Sequence, residues 1–417
     1  MHRDFRFVLP FLIWSALLAI GIDRCKTSWF DEDVYASKAV YWHEERMPAE
    51  TAYYQFMEYS SPYFITHPIL LGTWYDLFGV GLLQTRLFNL FVAALIMWLF
   101  WNTIRSLGFA RHYAYVGALL VGLNVAVVWQ VRSGRPDLLA VLMVSLSVYS
   151  LCRLTLPERY AAKSVVGWSG LFIFACALAV LCHAYAVPAI ALLLTVYVAS
   201  LRGRGSLAKR SLIGAVLATA IVLLGYAFYG YLNWDRFVAA WSAHTRFVNE
   251  VSDTRTSLTA DLAAEFKRVM RGSLIQVFQW MVIVLGSYYG AWRRRDVAFR
   301  YRTGAMWGIA CVWFLGYCLT LFWWVPKGTW YQMVYVAVPV SCLAVFGLKS
   351  LVDRFPNRKK FVFGFGTVLL LGEGVVFASL YPIAAVCQWE SRSHSALTQQ
   401  LSEYVKPGDR VAVDFGA

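Results

Sequence analysis

The chain has 417 residues, of which 59% are hydrophobic and only 15% charged, and its mean hydropathy is +0.54. Soluble domains carry about 25% charged residues, so the composition excludes a soluble globular protein and indicates a polytopic membrane protein. The net charge of +14 would suit a nucleic-acid binder, but its distribution along the chain follows membrane topology instead.

Apolar runs near the ~20-residue spanning length recur throughout. They predict eleven helices, at 5–22, 86–104, 112–131, 137–151, 165–182, 184–201, 211–230, 273–292, 304–324, 330–349 and 361–381. With the N-terminus in the cytoplasm, the inner segments are 1–4, 105–111, 152–164, 202–210, 293–303 and 349–360. With Arg6 at the inner rim, they hold 21 of the 38 Lys and Arg, against only Asp4, Glu158, Asp296 and Asp353. Every inner loop is therefore basic, as the positive-inside rule requires. The first run has no small-x-small cleavage site after it, since Ile22-Asp23-Arg24 follows, and reads as an anchor rather than a signal peptide. Six of the eight cysteines fall in or beside spans as small apolar residues. Cys25 and Cys387 fall outside and read as two separate thiols rather than a disulfide.

Directly after the first span comes Trp29-Phe-Asp31-Glu32-Asp33-Val-Tyr35. Three adjacent acids at a membrane surface repel one another, so they need a cation, a basic partner or a proton to move. One reading is a catalytic acidic cluster. The other is a helix start with Ser28 as N-cap and the acids favoured by the helix dipole. The two are compatible. The rest of the first outer segment, 23–85, is rich in aromatics and suits amphipathic helices lying in the interface. Residues 68–82 are apolar but interrupted by Asp76, Gly79 and Gly81. A span there would invert every later loop, so they read as a juxtamembrane or re-entrant helix opened by His67-Pro68.

Between the third and fourth spans the outer turn Arg132-Ser-Gly-Arg135-Pro-Asp137 packs two arginines and an acid together. They either pair with each other or form a phosphate clamp with an acid beside it. His183 separates the fifth and sixth spans and reads as an interfacial histidine. The second outer segment, 231–272, carries His244 and Arg246. Arg293–Arg295 is an inner anchor. Lys327 stands among Trp323, Trp324, Trp330 and Tyr331 at the outer interface, where snorkelling and phosphate binding both account for it. Glu373, between two glycines, is the one clear charge within a span and is either functional or a protonated structural acid. The tail, 382–417, is outside and can open a small soluble domain.

There is no Gly-Lys-Ser/Thr phosphate loop, no Cys-x-x-Cys zinc pattern and no Gly-x-Ser-x-Gly elbow. The polar candidates instead gather on one side of the membrane: Asp31, Glu32, Asp33, His67, Arg135, Asp137, His183, His244 and Lys327. Carboxylates, histidines and isolated cations suit group transfer from a phosphorylated donor. The acceptor hydroxyl needs a base, and the leaving phosphate needs positive charge. The Asp31-Glu32-Asp33 spacing also suits a divalent cation.

In these features the chain resembles the GT-C membrane glycosyltransferases, in particular the protein O-mannosyltransferases and lipid A aminoarabinose transferases. Asp31-Glu32 matches their Asp-Glu signature after the first span. Tyr63–Leu70, with His67-Pro68, resembles their Lys/His-Pro-Pro-Leu motif, although Ile69 replaces the second proline. Arg135-Pro136-Asp137 resembles their acidic motif, and Trp241–Phe247, with His244 and Arg246, a Glu-His-x-x-Arg-Phe segment. Lys327, Tyr331 and Pro339 resemble the Lys…Tyr…Pro run of a late span.

The resemblance implies an all-α GT-C-like bundle over 1–381 and inverting transfer of a sugar to an acceptor. The donor would be a polyprenyl-phosphate-linked sugar, and the acceptor a lipid, polysaccharide or protein. The site would face outward from a bacterial inner membrane. The expected catalytic residues are Asp31, Glu32 and Asp137. Arg135, Lys327, Tyr331 and Arg246 are expected to bind donor phosphate. Asp33, His67 and His244 are the candidates for a divalent metal, although Thr66 stands where the aminoarabinose transferases carry an acidic ligand. The expected partners are the lipid donor and the bilayer, not nucleic acid. The alternative is a transporter or flippase of lipid-linked sugars, against which stand the absence of an internal repeat and the outer-rim placement of the charges.

Overall fold

The computed structural model describes residues 5–23, 30–46, 65–155, 162–201, 205–232 and 334–387, and singly Trp234 and Val238. These residues are helical throughout their regular structure. In chain order they form α1 (Phe5–Ala19), α2 (Phe30–Glu45), α3 (Thr66–Phe78), α4 (Leu82–Ser106), α5 (Arg111–Gly122), α6 (Val125–Val131) and α7 (Asp137–Thr155). There follow α8 (Ala162–Cys182), α9 (Val187–Leu201), α10 (Gly205–Leu232), α11 (Val334–Arg354) and α12 (Lys359–Cys387). Among the described residues six helices are long and apolar enough to cross a membrane: α4, α7, α8, α10, α11 and α12. α5 and α6 together form a seventh, bent by 58°. The expected spans 273–292 and 304–324, and the outer segments around them, lie outside the described residues. So does the tail from residue 388.

Most helices lie within a few residues of expectation, and the interruptions mark where tertiary contacts override the pattern. Residues 112–131 read as one helix, but the structure breaks it at Leu123-Asn124. The break is a hydrogen-bond exchange. A continuous helix would give the Gly122 carbonyl to the Ala126 N–H. Instead the Trp14 indole Nε1–H of α1 donates to Gly122 O at 3.0 Å, and the Asn124 side chain accepts from Ala126 N at 3.0 Å as the N-cap of α6. Gly122 also faces the Met97 sulfur of α4, so closely that a Cβ there would lie 2.4 Å from it.

α1 is shorter than expected. It ends at Ala19, and Gly21 adopts φ +59°. The Arg132 guanidinium then caps the end of α1, donating to the carbonyls of Leu18, Ile20 and Gly21 at 3.1 Å each. α9 is shortened in the same way, because a short 3-10 turn, Ala184–Ala186, precedes it. α7, α8 and α10 pack side by side. α8 and α10 come closest where Gly170 faces Gly214, and a Cβ on Gly214 would sit 2.2 Å from the Val166 carbonyl. α11 packs against α5, α7 and α12, while α2 lies along α3. The site is assembled at the ends of these helices, where α1, α6 and α8 finish and α2, α3, α7 and α11 begin.

Candidate functional site

α2 begins at Phe30, so the backbones of Asp31, Glu32 and Asp33 occupy its first turn. Glu32 turns inward and is 1% exposed. Its two carboxylate oxygens receive Nε and Nη2 of Arg86 at 2.9 and 2.8 Å, a fork-to-fork ion pair. Arg86, wholly buried in α4, spends Nη1 on the Ile22 carbonyl at 2.8 Å. Arg86 and Arg132 thus hold the two ends of the stretch that leaves α1, fixing where α2 and its acids start. Gly134 makes the approach feasible. Its φ is +60°, and a Cβ there would lie 2.7 Å from Glu32 Oε1.

The Arg132–Asp137 turn is pinned from α4. The Asn89 amide donates to the carbonyls of Gln130 and Arg135 at 3.1 and 3.2 Å. Arg135 Nε then donates to Asp137 Oδ2 at 2.9 Å. Arg135 pairs with Asp137, as one of the two readings of this turn has it, while Arg132 serves as a helix cap, which neither reading included. Asp137 is fully buried at the start of α7, and its Oδ1 has no hydrogen-bond partner among the described residues. Arg135 also lies 6.0 Å over the ring of Tyr35 from α2.

Around Asp137 stand His67, His183 and Tyr335. His67 opens α3 as expected and is 1% exposed, with neither ring nitrogen hydrogen-bonded among the described residues. Tyr35 and Phe88 pack edge-on to its ring, with centroids 6.0 Å away. Burial pushes its imidazole down to about 3; Asp137 pulls the other way, while Lys38 and His183 add to the depression. It is therefore a neutral imidazole at neutral pH. His183 Nδ1 accepts from the Tyr185 N–H at 3.3 Å, which puts the proton of a neutral ring on Nε2. Tyr335, at the start of α11, packs against His183 with centroids 6.4 Å apart. Lys38, on the same face of α2 as Glu32 and Tyr35, is 7% exposed.

From His67 an aromatic path leads outward through Phe88 to Trp74, with ring centroids 6.0 and then 5.8 Å apart. Trp74 lines an apolar groove of about 460 Å³, together with Phe78, Leu87, Leu90 and Phe91.

Of the sequence-derived candidates, the structure brings Glu32, His67, Arg135, Asp137 and His183 together. Of Asp31 and Asp33 only the backbone is described, and Arg246, His244, Lys327 and Tyr331 lie outside the described residues. Of the candidate metal ligands Asp33, His67 and His244, one has a described side chain. Among the described residues no three His, Cys, Asp or Glu side chains are grouped to hold a metal ion. The described side chains by themselves therefore do not make up a metal site. Sequence reasoning missed Arg86, Asn89, Lys38 and Tyr335. Arg86 and Asn89, three apart near the start of an apolar span, were the available signal that one helix face is polar there.

The chain superposes on the crystal structure of ArnT from Cupriavidus metallidurans bound to undecaprenyl phosphate with a TM-score of 0.64 at 14% identity. The match covers 96% of this chain and 81% of that one. The apo structure of ArnT from the same organism matches with a TM-score of 0.47 at 13% identity, over 97% of this chain and 82% of that one. No family model and no curated protein matches the chain. At this identity the likeness shows the fold: an ArnT-like all-helical bundle of an integral membrane protein.

Proposed function

We propose that the protein is a glycosyltransferase that moves a sugar from a polyprenyl-phosphate-linked donor to a lipid, polysaccharide or protein acceptor on the outer face of a bacterial inner membrane. The observation that carries this reading is the half-satisfied carboxylate of Asp137. One oxygen is held by Arg135, and the other, with the Tyr335 hydroxyl nearby, has no hydrogen bond among the described residues; both lie among helix ends of an ArnT-like fold. The neighbouring ArnT structure contains undecaprenyl phosphate, which supports a lipid phosphate as the carrier here. The basic inner loops support the orientation.

In the reaction the acceptor hydroxyl attacks the anomeric carbon as its bond to the phosphate oxygen breaks, so the configuration inverts. Polyprenyl phosphate leaves, and the hydroxyl proton passes to a carboxylate. Asp31 or Asp137 takes that proton. Glu32, with both oxygens engaged by Arg86, positions α2. Lys38 and Arg135, with Lys327, Tyr331 and Arg246, supply charge and hydrogen bonds to the leaving phosphate. Neutral His67 offers a hydrogen bond without adding charge, and His183 stands beside it as a further hydrogen-bonding group. The apolar groove reached through Phe88 and Trp74 accommodates the prenyl chain.

The test is transfer by purified protein in detergent from a synthetic polyprenyl-phosphate sugar, with glycosylated acceptor detected by mass spectrometry. Product formation without a second compartment excludes pure transport. No product with any donor, from protein that remains folded and binds the lipid, would remove the transferase reading in favour of a lipid-linked sugar carrier.

A further inference from the structure

A second polar site lies away from the helix-end cluster, at the α5–α6 break. A cavity of about 40 Å³ is lined by Glu373 and Gly374 of α12, Asn124 and Leu120 at the break, and Ser341 of α11. Glu373 lies midway between the ends of α12, in the middle of an apolar span where an unpaired carboxylate is costly. No lysine, arginine or histidine lines the cavity. The Glu373 carboxylate has no hydrogen bond or ion pair among the described residues.

Among the mostly apolar lining the cavity also offers backbone and hydroxyl oxygens. The Asn124 N–H turns to the Val121 carbonyl at 3.2 Å, so the Leu120 carbonyl loses the donor a continuous helix would supply. Ser341 contributes a buried hydroxyl. Pro339, two residues before it in α11, removes a further backbone N–H. Gly374 sets the spacing, because a Cβ there would lie 2.4 Å from the Leu123 carbonyl. α12 is therefore drawn tight against the break, carrying its acid with it.

We propose that this cavity binds one small monovalent cation of the sodium type, held by the Glu373 carboxylate, the Ser341 hydroxyl and the Leu120 carbonyl. Charge selects the class. One carboxylate and one monovalent ion make a neutral complex at membrane depth, whereas a divalent ion would leave a net charge there. Size agrees, since the cavity holds one such ion with a water or two. Unwound helix backbone beside an intramembrane acid supplies the hard oxygen ligands such an ion takes. Because α6 runs from this break directly into the Arg132–Asp137 turn, the bound ion pins the angle at which the turn is presented.

The experiment reads unfolding rather than sugar transfer, so it stands apart from the proposed reaction. Purified full-length protein in detergent is melted at pH 7.5 in chelator-treated buffer, with NaCl exchanged for choline chloride at constant ionic strength. The native protein gains Tm with sodium in a saturating manner, as a ligand of the folded state requires, and gains none with choline. Glu373→Gln, which is neutral and nearly isosteric, loses the sodium dependence. Ser341→Ala raises the half-saturating concentration about tenfold, the loss of one good ligand contact. Native protein with no sodium-specific gain overturns the proposal, as does Glu373→Gln with an undiminished gain. A response to pH alone, the same in sodium and choline, also overturns it and makes Glu373 a proton site.

Discussion

Two buried ion pairs sit within the same cluster of helix ends, and they are built differently. Glu32–Arg86 is closed. Both carboxylate oxygens are engaged, Arg86 has a third bond to Ile22, and neither side chain is more than 1% exposed. Arg135–Asp137 is open, with one bond at 2.9 Å and one carboxylate oxygen buried without a hydrogen bond among the described residues. A carboxylate with both oxygens held in a buried fork by one arginine can hold a helix in place but is a poor proton acceptor for a substrate. One with a free oxygen, oriented through the other, can accept that proton. The contrast separates architecture from chemistry among residues that the sequence presents as one class of outer-face acids.

The largest effect belongs to the closed pair. Removing one member of a buried ion pair leaves an uncompensated charge and costs about 3–5 kcal/mol. Arg86→Met is therefore expected to abolish folding or to lower Tm sharply in detergent. The double variant Glu32→Met/Arg86→Met, which removes both charges, recovers much of that loss. If the double variant melts no higher than the single one, the pair is not the closed structural unit described here.

The open pair gives the opposite signature. Asp137→Asn keeps its size and can still face Arg135, so insertion and expression are expected to survive while turnover falls by roughly 10²–10⁴, the range for loss of a general base. The same variant series on Asp31 decides between the two carboxylates. If Asp137→Asn turns over normally and Asp31→Asn does not, the base is Asp31, and the open pair only orients the turn.

An intermediate effect tests the glycine between the pairs. Gly134 has a left-handed φ and faces Glu32, so Gly134→Ala carries both backbone strain and a close contact. The expected cost is about 1–3 kcal/mol, read as a lower denaturation temperature with the same donor Michaelis constant. A donor constant that rises more than the stability falls would place Gly134 on the substrate side of the turn.

The contrast also shows what a sequence can carry. Long apolar runs read correctly as helices at α4, α7, α8, α10, α11 and α12, because span length and hydropathy are local properties. The break at Asn124 was not legible, since it depends on Trp14, 108 positions away along the chain, taking the Gly122 carbonyl. Arg132 read equally well as a clamp or a paired charge. Its actual role as the cap of α1 arises from contacts across more than a hundred residues. Tyr331, expected to bind donor phosphate, lies outside the described residues, and the described tyrosine beside Asp137, Tyr335, carried no motif of its own.

The smallest expected effect concerns His67, and it discriminates by sign. Its imidazole is held down to about 3 by burial, against an unfolded value near 6.5. A base whose folded value is depressed stabilises the fold fully above the unfolded value and loses that contribution as pH falls toward the folded one. Between pH 7.5 and 6.5 the native protein and His67→Gln should therefore respond to pH almost in parallel. Below pH 6.5 the native protein should lose stability relative to His67→Gln, with a slope approaching about 1.4 kcal/mol per pH unit. Detergent melts of both proteins at half-unit steps from pH 7.5 to 5.0 measure this directly. The same neutrality means that a rate profile of the native protein carries no step from His67 near pH 6.5. If the native protein instead gains stability over His67→Gln on acidification, His67 is protonated within the fold. Asp137 would then have a cationic neighbour rather than a neutral one, and the open pair would be a triad.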